Sequence, residues 1–498
     1  MNISDEVKVI NDEIIKWRRD FHEYPELGFQ EKRTSQTIYE LLQSFGLSPI
    51  KGIAKTGVIA DLKFGEGPII ALRADMDALP IQETDNHSYS SKNNGVMHAC
   101  GHDGHMAILL GAAKALSKTK NSLSGTVRFI FQPAEEGGGG ARHMIEEGCL
   151  DGVSEIYGIH LWNYQPVGEV GVKDGPILAA ADMFDITIKG TGGHGATPQG
   201  TVDTIVVSSQ LVQAFQTIIS RNTNPIDNAV ITIGMINGGN NFNVIADEVK
   251  LIGTTRSYTN ENRSMLKRRM KEIIEGVALT YGAKIEFNYR DGYPPTINYP
   301  EQVKKVINAS KRVVGKGAGN PYLSMAAEDF SYYLQKVSGC FFFIGSAPDE
   351  TKLLSTPHHC SHFDIDERSL SVGASVYLNL VYDILGRINY IFNYCYSLIP
   401  NSASFSAIIS PTKKPIFVNI DTISFSNVTP FVWNYFMPNK IKIFYNVFGK
   451  ASRFNHYQIR VPLGVKPRRA NRFFNIHTKN NYIQNYLHGC SNYRGSTG

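Results

Sequence analysis

No apolar run in these 498 residues approaches the roughly eighteen that a bilayer-spanning helix needs, so a helical membrane protein is excluded. Cysteine is scarce. Cys100, Cys149, Cys340, Cys360, Cys395 and Cys490 are too few and too scattered for a disulfide framework. This predicts a reducing compartment, with Cys100 free to bind a metal. Met1-Asn2-Ile3-Ser4-Asp5-Glu6 lacks both a basic n-region and an apolar h-region. No secretory signal is therefore expected, and a cytoplasmic location is. Acidic residues are nearly absent from one end only. Beyond Ile388 there are 13 Lys and Arg, the single acid Asp421 and no Glu, a net of +12. Residues 1–388 hold 37 basic and 44 acidic residues, so the overall +5 hides an acidic body and a basic tail.

The chain is too long for one core, and its composition of 42% hydrophobic and 19% charged residues is that of a globular protein. Helical spacing over residues 5–21 and 34–45 is followed by short apolar runs at 58–62, 69–73, 126–131 and 155–160. A small-residue helix is predicted over 105–116. Strands alternating with helices imply an open α/β sheet whose ligands sit at the carboxyl ends of its strands. Asp75, Asp77, Glu135, Glu136 and His160 all fall at such ends. From about residue 181 the pattern becomes β-α-β-β-α-β, a ferredoxin-like unit that closes at Tyr293-Pro294-Pro295. The α/β pattern then resumes to a last helix over 369–385. The expected fold is thus α/β, with a catalytic open-sheet domain in two segments, 1–180 and 295–388. A lid domain, 181–294, is inserted between them, and a basic tail, 389–498, is not expected to form a folded domain.

The turn His98-Ala99-Cys100-Gly101-His102-Asp103-Gly104-His105 crowds thiol and imidazole ligands just before a helix. Cys100 and His102 alone are weak evidence, because a buried Cys often serves as a small hydrophobe. Glu135-Glu136 and then His160-Leu161-Trp162, at further strand ends, make a metal centre the better reading. Neighbouring side chains at a strand end point to opposite sides. One carboxylate of the pair can therefore bind metal while the other faces substrate; a solvated loop is the alternative. Gly137 to Gly140 fit either a flexible loop or a backbone that passes close to a ligand.

These residues resemble the dinuclear metallopeptidase family of amidohydrolases and carboxypeptidases, which includes aminoacylases, hippurate hydrolases and plant auxin-conjugate hydrolases. The landmarks are His22–Glu26, Arg73–Pro80, His98–Asp103, Gln132–Gly137, Gly158–Trp162, Gly190–Gly195, Phe242–Ile245, Glu328–Phe330 and His358–Glu367, in family order over about residues 10–387. The resemblance implies that Cys100, His102, Glu136, His160 and His359 bind two divalent ions. Zinc is the metal that Cys and His ligands favour, with manganese or cobalt as alternatives. His358 and His362 compete with His359 for the last place. Glu135 would be the general base and acid, His194 an oxyanion stabiliser reaching the partner subunit's site, and Asn243 and Arg256 substrate binders. Asp75, Asp77 and Asp103 are read as groups that orient imidazoles. The sequence departs from the family's pattern at Gln199, Ala246 and Ser361, where His, Pro and Pro are expected.

The implied reaction is hydrolysis of N-acyl amino acids, or release of the C-terminal residue of short peptides. The implied assembly is a homodimer or homotetramer formed through the lid. A non-catalytic binding protein that has kept the fold is the alternative, and the intact Glu135 and ligand set argue against it. The tail reads either as a nucleic-acid-binding extension, with cations for phosphates and rings for bases, or as a segment that never evolved as a folded unit. The second is preferred, because the α/β pattern is already complete at Gly386. No membrane or nucleic-acid partner is expected.

Overall fold

A computed structural model describes residues 1–119, 123–349, 351, 353–386, 404–408 and 417–421. Its large mixed sheet has eight strands, in the order Ile50–Ile53, Gly57–Lys63, Thr126–Gln132, Ile69–Asp75, Val153–Pro166, Ser338–Ala347, Val170–Gly171 and Ala318–Gly319. Ile69–Asp75 runs parallel to both its neighbours, and Val153–Pro166 is parallel to Ser338–Ala347. Central strands of this kind are covered on both faces, which is why they read as nearly continuous apolar runs. Ile70, Leu72, Val127, Phe129, Phe131, Tyr157, Ile159, Phe342 and Ile344 face one core, with helices Asn11–Glu23, Lys32–Ser44, His102–Ser117, Pro300–Val314 and Arg368–Leu385. The alternate residues Ala71, Ile130, Ile156, Phe341 and Phe343 face a second core with Met144, Phe330 and Tyr333.

Two expected elements differ most in extent. The helix predicted over 5–21 is two pieces, Asp5–Lys8 and Asn11–Glu23, parted where Ile10 leaves helical geometry at φ −112° and ψ 10°. The strand expected to end at His160 continues to Pro166, because buried Leu161 and Trp162 keep pairing with Ile344 and Gly345. Pairing with the central strand Ile69–Asp75 does stop at Gly158, so His160 lies just beyond that strand's reach.

Residues 180–293 build a second sheet with its own core. Strands Ala229–Gly238, Glu248–Ser257, Ala180–Lys189 and Lys284–Tyr293 lie in that order, each antiparallel to the next. Helices Thr204–Thr217 and Asn260–Tyr281 cover one face through Val207, Leu211, Phe215, Leu266 and Met270, packed on Phe184, Ile186 and Leu251. Both helices begin at a side-chain cap: Asp203 accepts from Ile205 and Val206 N–H, and Thr259 from Asn262 N–H.

The chain divides into two units, Met1–Ser397 and Leu398–Gly498. In the second, Ser404–Ile408 pairs antiparallel with Phe417–Asp421, and the other expectations for 389–498 lie outside the described residues. Among the described residues, no helix is long and apolar enough to cross a membrane.

Candidate metal centre

The carboxyl ends of the central strands meet the start of helix His102–Ser117. Gly101 has φ +91°, a left-handed geometry open to glycine, and it carries the chain from Cys100 into that helix. Cys100, Glu136 and His359 each bring a ligand atom within 4.8 Å of the others. So do His102, Glu135 and Glu136, and so do Cys100, His160 and His358. His359 sits at φ +66°, strained for a non-glycine residue, with Nε2 3.1 Å from Glu136 Oε1.

The second nitrogen of each ring shows which imidazoles have a lone pair to offer. A carbonyl can only accept, so His102 Nδ1, 2.8 Å from the Asp77 carbonyl, is a donor; its buried Nε2 has no hydrogen-bond partner among the described residues. His160 donates from Nδ1 to the Leu161 carbonyl at 2.6 Å and turns Nε2 towards Cys100 Sγ at 3.5 Å. A backbone N–H can only donate. His105 therefore accepts from Leu161 N–H at Nε2 and donates from Nδ1 to Asp75, which uses both nitrogens. His358 accepts from Asn163 N–H at Nε2, which leaves the proton on the Nδ1 that faces Cys100 Sγ at 4.0 Å.

Behind the rings lies a set of buried carboxylates. Asp77 accepts from the N–H groups of Glu135 and Glu136, both at 2.9 Å, and so fixes the two residues side by side. Fully buried Arg73 pairs with Asp75, Glu328 and Asp329 and bonds to Gln132. No Lys or Arg pairs with Glu135 or Glu136 among the described residues. Burial, then Glu328, Glu136 and Asp329, hold the Glu135 carboxyl well above its ordinary range. Burial, then Glu136 and Glu135, push the Cys100 thiol well up. Burial alone would depress His102, yet Asp75 and Asp77 raise it to about 10. Beside burial, the neighbouring carboxylates contribute to all three shifts, so the pocket concentrates negative charge. The donor set of thiol, imidazole nitrogens and carboxylates fits divalent cations, which would replace those protons.

The structure therefore brings Cys100, His102, Glu135, Glu136, His160 and His359 together. His194, Asn243 and Arg256 stand elsewhere, on the smaller sheet unit. Exposed His194 lies beside exposed Asn243, whose carbonyl accepts from Gly195 N–H. None of the three bonds to the cluster among the described residues. Asp75 bonds to His105 and lies 3.7 Å from His102 Nε2, Asp77 holds His102 through its main-chain carbonyl, and Asp103 bonds to His22 and Arg18, outside the expected ligand set. The roles of Arg73, Glu328, Asp329 and His358 could not be read beforehand. Their signal is burial of charge or a ring nitrogen's partner, and neither is visible in a residue string.

A model of "Peptidase family M20/M25/M40" matches residues 71–383. An N-acetylcysteine deacetylase of Bacillus subtilis is 40% identical, over 76% of this chain and 99% of its own. A thermostable carboxypeptidase 2 of Saccharolobus solfataricus is 42% identical, over 75% of this chain and 95% of its own. The crystal structure of the YxeP protein of Bacillus subtilis, described as a dinuclear metal-binding peptidase of family M20, is 37% identical. It covers 77% of this chain and 100% of its own, with a TM-score of 0.68.

Proposed function

The chain belongs to peptidase family M20/M25/M40 and is an enzyme of the metallopeptidase and amidohydrolase kind, and on that premise we propose that it hydrolyses N-acyl amino acids or removes the C-terminal residue of short peptides. The observation that carries this reading is that the clusters Cys100–Glu136–His359 and His102–Glu135–Glu136 share Glu136, with the buried carboxylate of Glu135 beside them. Cys100, His102, Glu136, His160 and His359 would hold two divalent cations, zinc before manganese or cobalt. His359 is preferred to its neighbours because Nε2 of His358 is taken by Asn163 N–H, and that of His362 lies against the Ser355 carbonyl. The four described cysteines are free, and a reducing, cytoplasmic setting would keep Cys100 available.

When bound, the cations polarise a carbonyl and lower the pKa of a water. Glu135 takes the proton of the attacking water on its carboxylate and returns it to the leaving amine nitrogen. Its raised proton affinity suits a group that must carry a proton between two steps. His194 steadies the oxyanion, worth on the order of 3 kcal/mol for one such donor. Arg256 and Asn243 bind the substrate's carboxylate and carbonyl. The half-buried Arg256 bonds only to Thr254 and Thr255, and no carboxylate pairs with it among the described residues, which supports that assignment.

The catalytic domain in this reading comprises residues 1–180 and 295–388, with 181–294 as a ferredoxin-like lid whose closure brings Arg256 to the substrate. Met235 and Ile236 are about half exposed on the lid's edge strand. That supports a homodimer or homotetramer formed through the lid, in which His194 serves the partner's site. The test is release of amino acid from a panel of N-acyl amino acids and dipeptides after chelation and return of Zn²⁺, Mn²⁺ or Co²⁺. Metal-restored release is expected. No release with any metal, although ions are bound, would contradict the proposal and favour a binding protein.

A further inference from the structure

We propose that Glu31 is a positioning residue, whose carboxylate holds the left-handed turn at Ala134 and thereby sets Glu135 and Glu136 in place; this rests on the roles proposed above for those two. Glu31 is fully buried. Its Oε1 accepts from Ala134 N–H at 2.9 Å and its Oε2 from the Thr56 hydroxyl at 2.6 Å. Ala134 has φ +53°, a conformation that costs an alanine energy and persists only where the surroundings enforce it.

Those surroundings are specific. A Cβ on Gly28 would lie 3.0 Å from the Ala134 Cβ, and one on Gly138 2.6 Å from it, so glycines are what fit around the turn. Three consecutive N–H groups then point at carboxylates: Ala134 at Glu31, and Glu135 and Glu136 at the two oxygens of Asp77. Asp77 lies just past the end of the central strand. Glu31 comes from the N-terminal segment and is the only member of this set that grips the strained residue itself.

Glu31 also stands at the N-cap of helix Lys32–Ser44 yet makes no cap with its side chain. Glu26 does that work instead, accepting from the N–H groups of Arg33 and Thr34. A residue in a capping position that is relieved of capping, fully buried and aimed across the fold at a strained alanine acts on that alanine.

Two substitutions separate reach from charge. Glu31→Gln keeps the reach: its carbonyl oxygen still accepts from Ala134 N–H, and its amide donates to Thr56. Glu31→Asp keeps the charge and is one methylene too short to reach. Both are measured against the parent for kcat and KM on an N-acetyl amino acid and for Co²⁺ affinity by titration of the metal-stripped protein, with thermal unfolding to verify the fold. Glu31→Asp is expected to lose at least about tenfold in kcat or in Co²⁺ affinity, with KM little changed, while Glu31→Gln stays within about threefold of the parent. Any smaller separation between the two, or an equal loss in Glu31→Gln, overturns the proposal. Absence of turnover in the parent itself would count against the proposed hydrolysis, and the Co²⁺ comparison would still decide the role of Glu31.

Discussion

His358 and His359 are adjacent, and each has a ring nitrogen near the ligand atoms around Cys100, yet their surroundings divide them. Asn163 N–H occupies Nε2 of His358, whereas Nε2 of His359 lies against Glu136. His359→Ala is therefore expected to bind one ion fewer per chain and His358→Ala as many as the parent, read by elemental analysis of dialysed protein. The reverse result would exchange their roles. Glu31 makes a second prediction at this scale. Burial pushes its carboxyl up to about 7, from 4.5 when unperturbed, so the folded protein holds that proton more tightly than the unfolded chain. The resulting stability is fully present below pH 4.5 and is lost as pH rises to about 7, at a total of about 3 kcal/mol. The stability of Glu31→Gln relative to the parent should therefore improve from pH 5 to pH 8 by up to that amount. A difference independent of pH, in urea unfolding at both values, would contradict it.

At the scale of elements, the turn after strand Thr126–Gln132 depends on close backbone contact. A Cβ on Gly140 would lie 1.7 Å from the Pro133 carbonyl, so Gly140→Ala must displace the turn that carries Glu135 and Glu136. A stability loss of at least about 2 kcal/mol is expected, together with weakened metal binding; parent-like values of both would show that the turn adapts. Gly140 thus answers to neither reading the sequence allowed for Gly137–Gly140, a flexible loop or a close approach to a ligand: it packs against its own chain. Strands and helices were legible because burial on one face or two leaves a period of 2, 3.6 or none. That Cys100, His102, Glu136 and His160 come together was legible in their residue types at strand ends, and His359 only through the family resemblance. What holds them was not. Nothing in the charged residues Glu31-Lys32-Arg33 marks Glu31 as fully buried, and Ala134 and His359 carry no mark of their positive φ. Asp103 is expected to orient an imidazole, and the ring the helix turns it to is His22, beside Arg18, which the sequence did not indicate.

Across the whole molecule, two sheet units divide the work. The large sheet supplies the candidate ligands and Glu135, while the smaller one carries Arg256, His194 and Asn243; under the proposed roles, substrate recognition and chemistry meet only if the two units act together. The family match ends at residue 383, and the last helix among the described residues at Leu385. Ending the chain after Gly386 is accordingly expected to leave metal content and turnover within about twofold of the full chain, whereas a loss of both would make the basic tail part of the enzyme. The central claim is that Glu135 moves the proton while its neighbours hold the cations. The measurement that tests it most directly is metal content and turnover of Glu135→Gln beside the parent, both loaded with the same metal. Two ions retained with kcat lowered at least about 10²-fold is the predicted result. Parent-like turnover with both ions bound would contradict it.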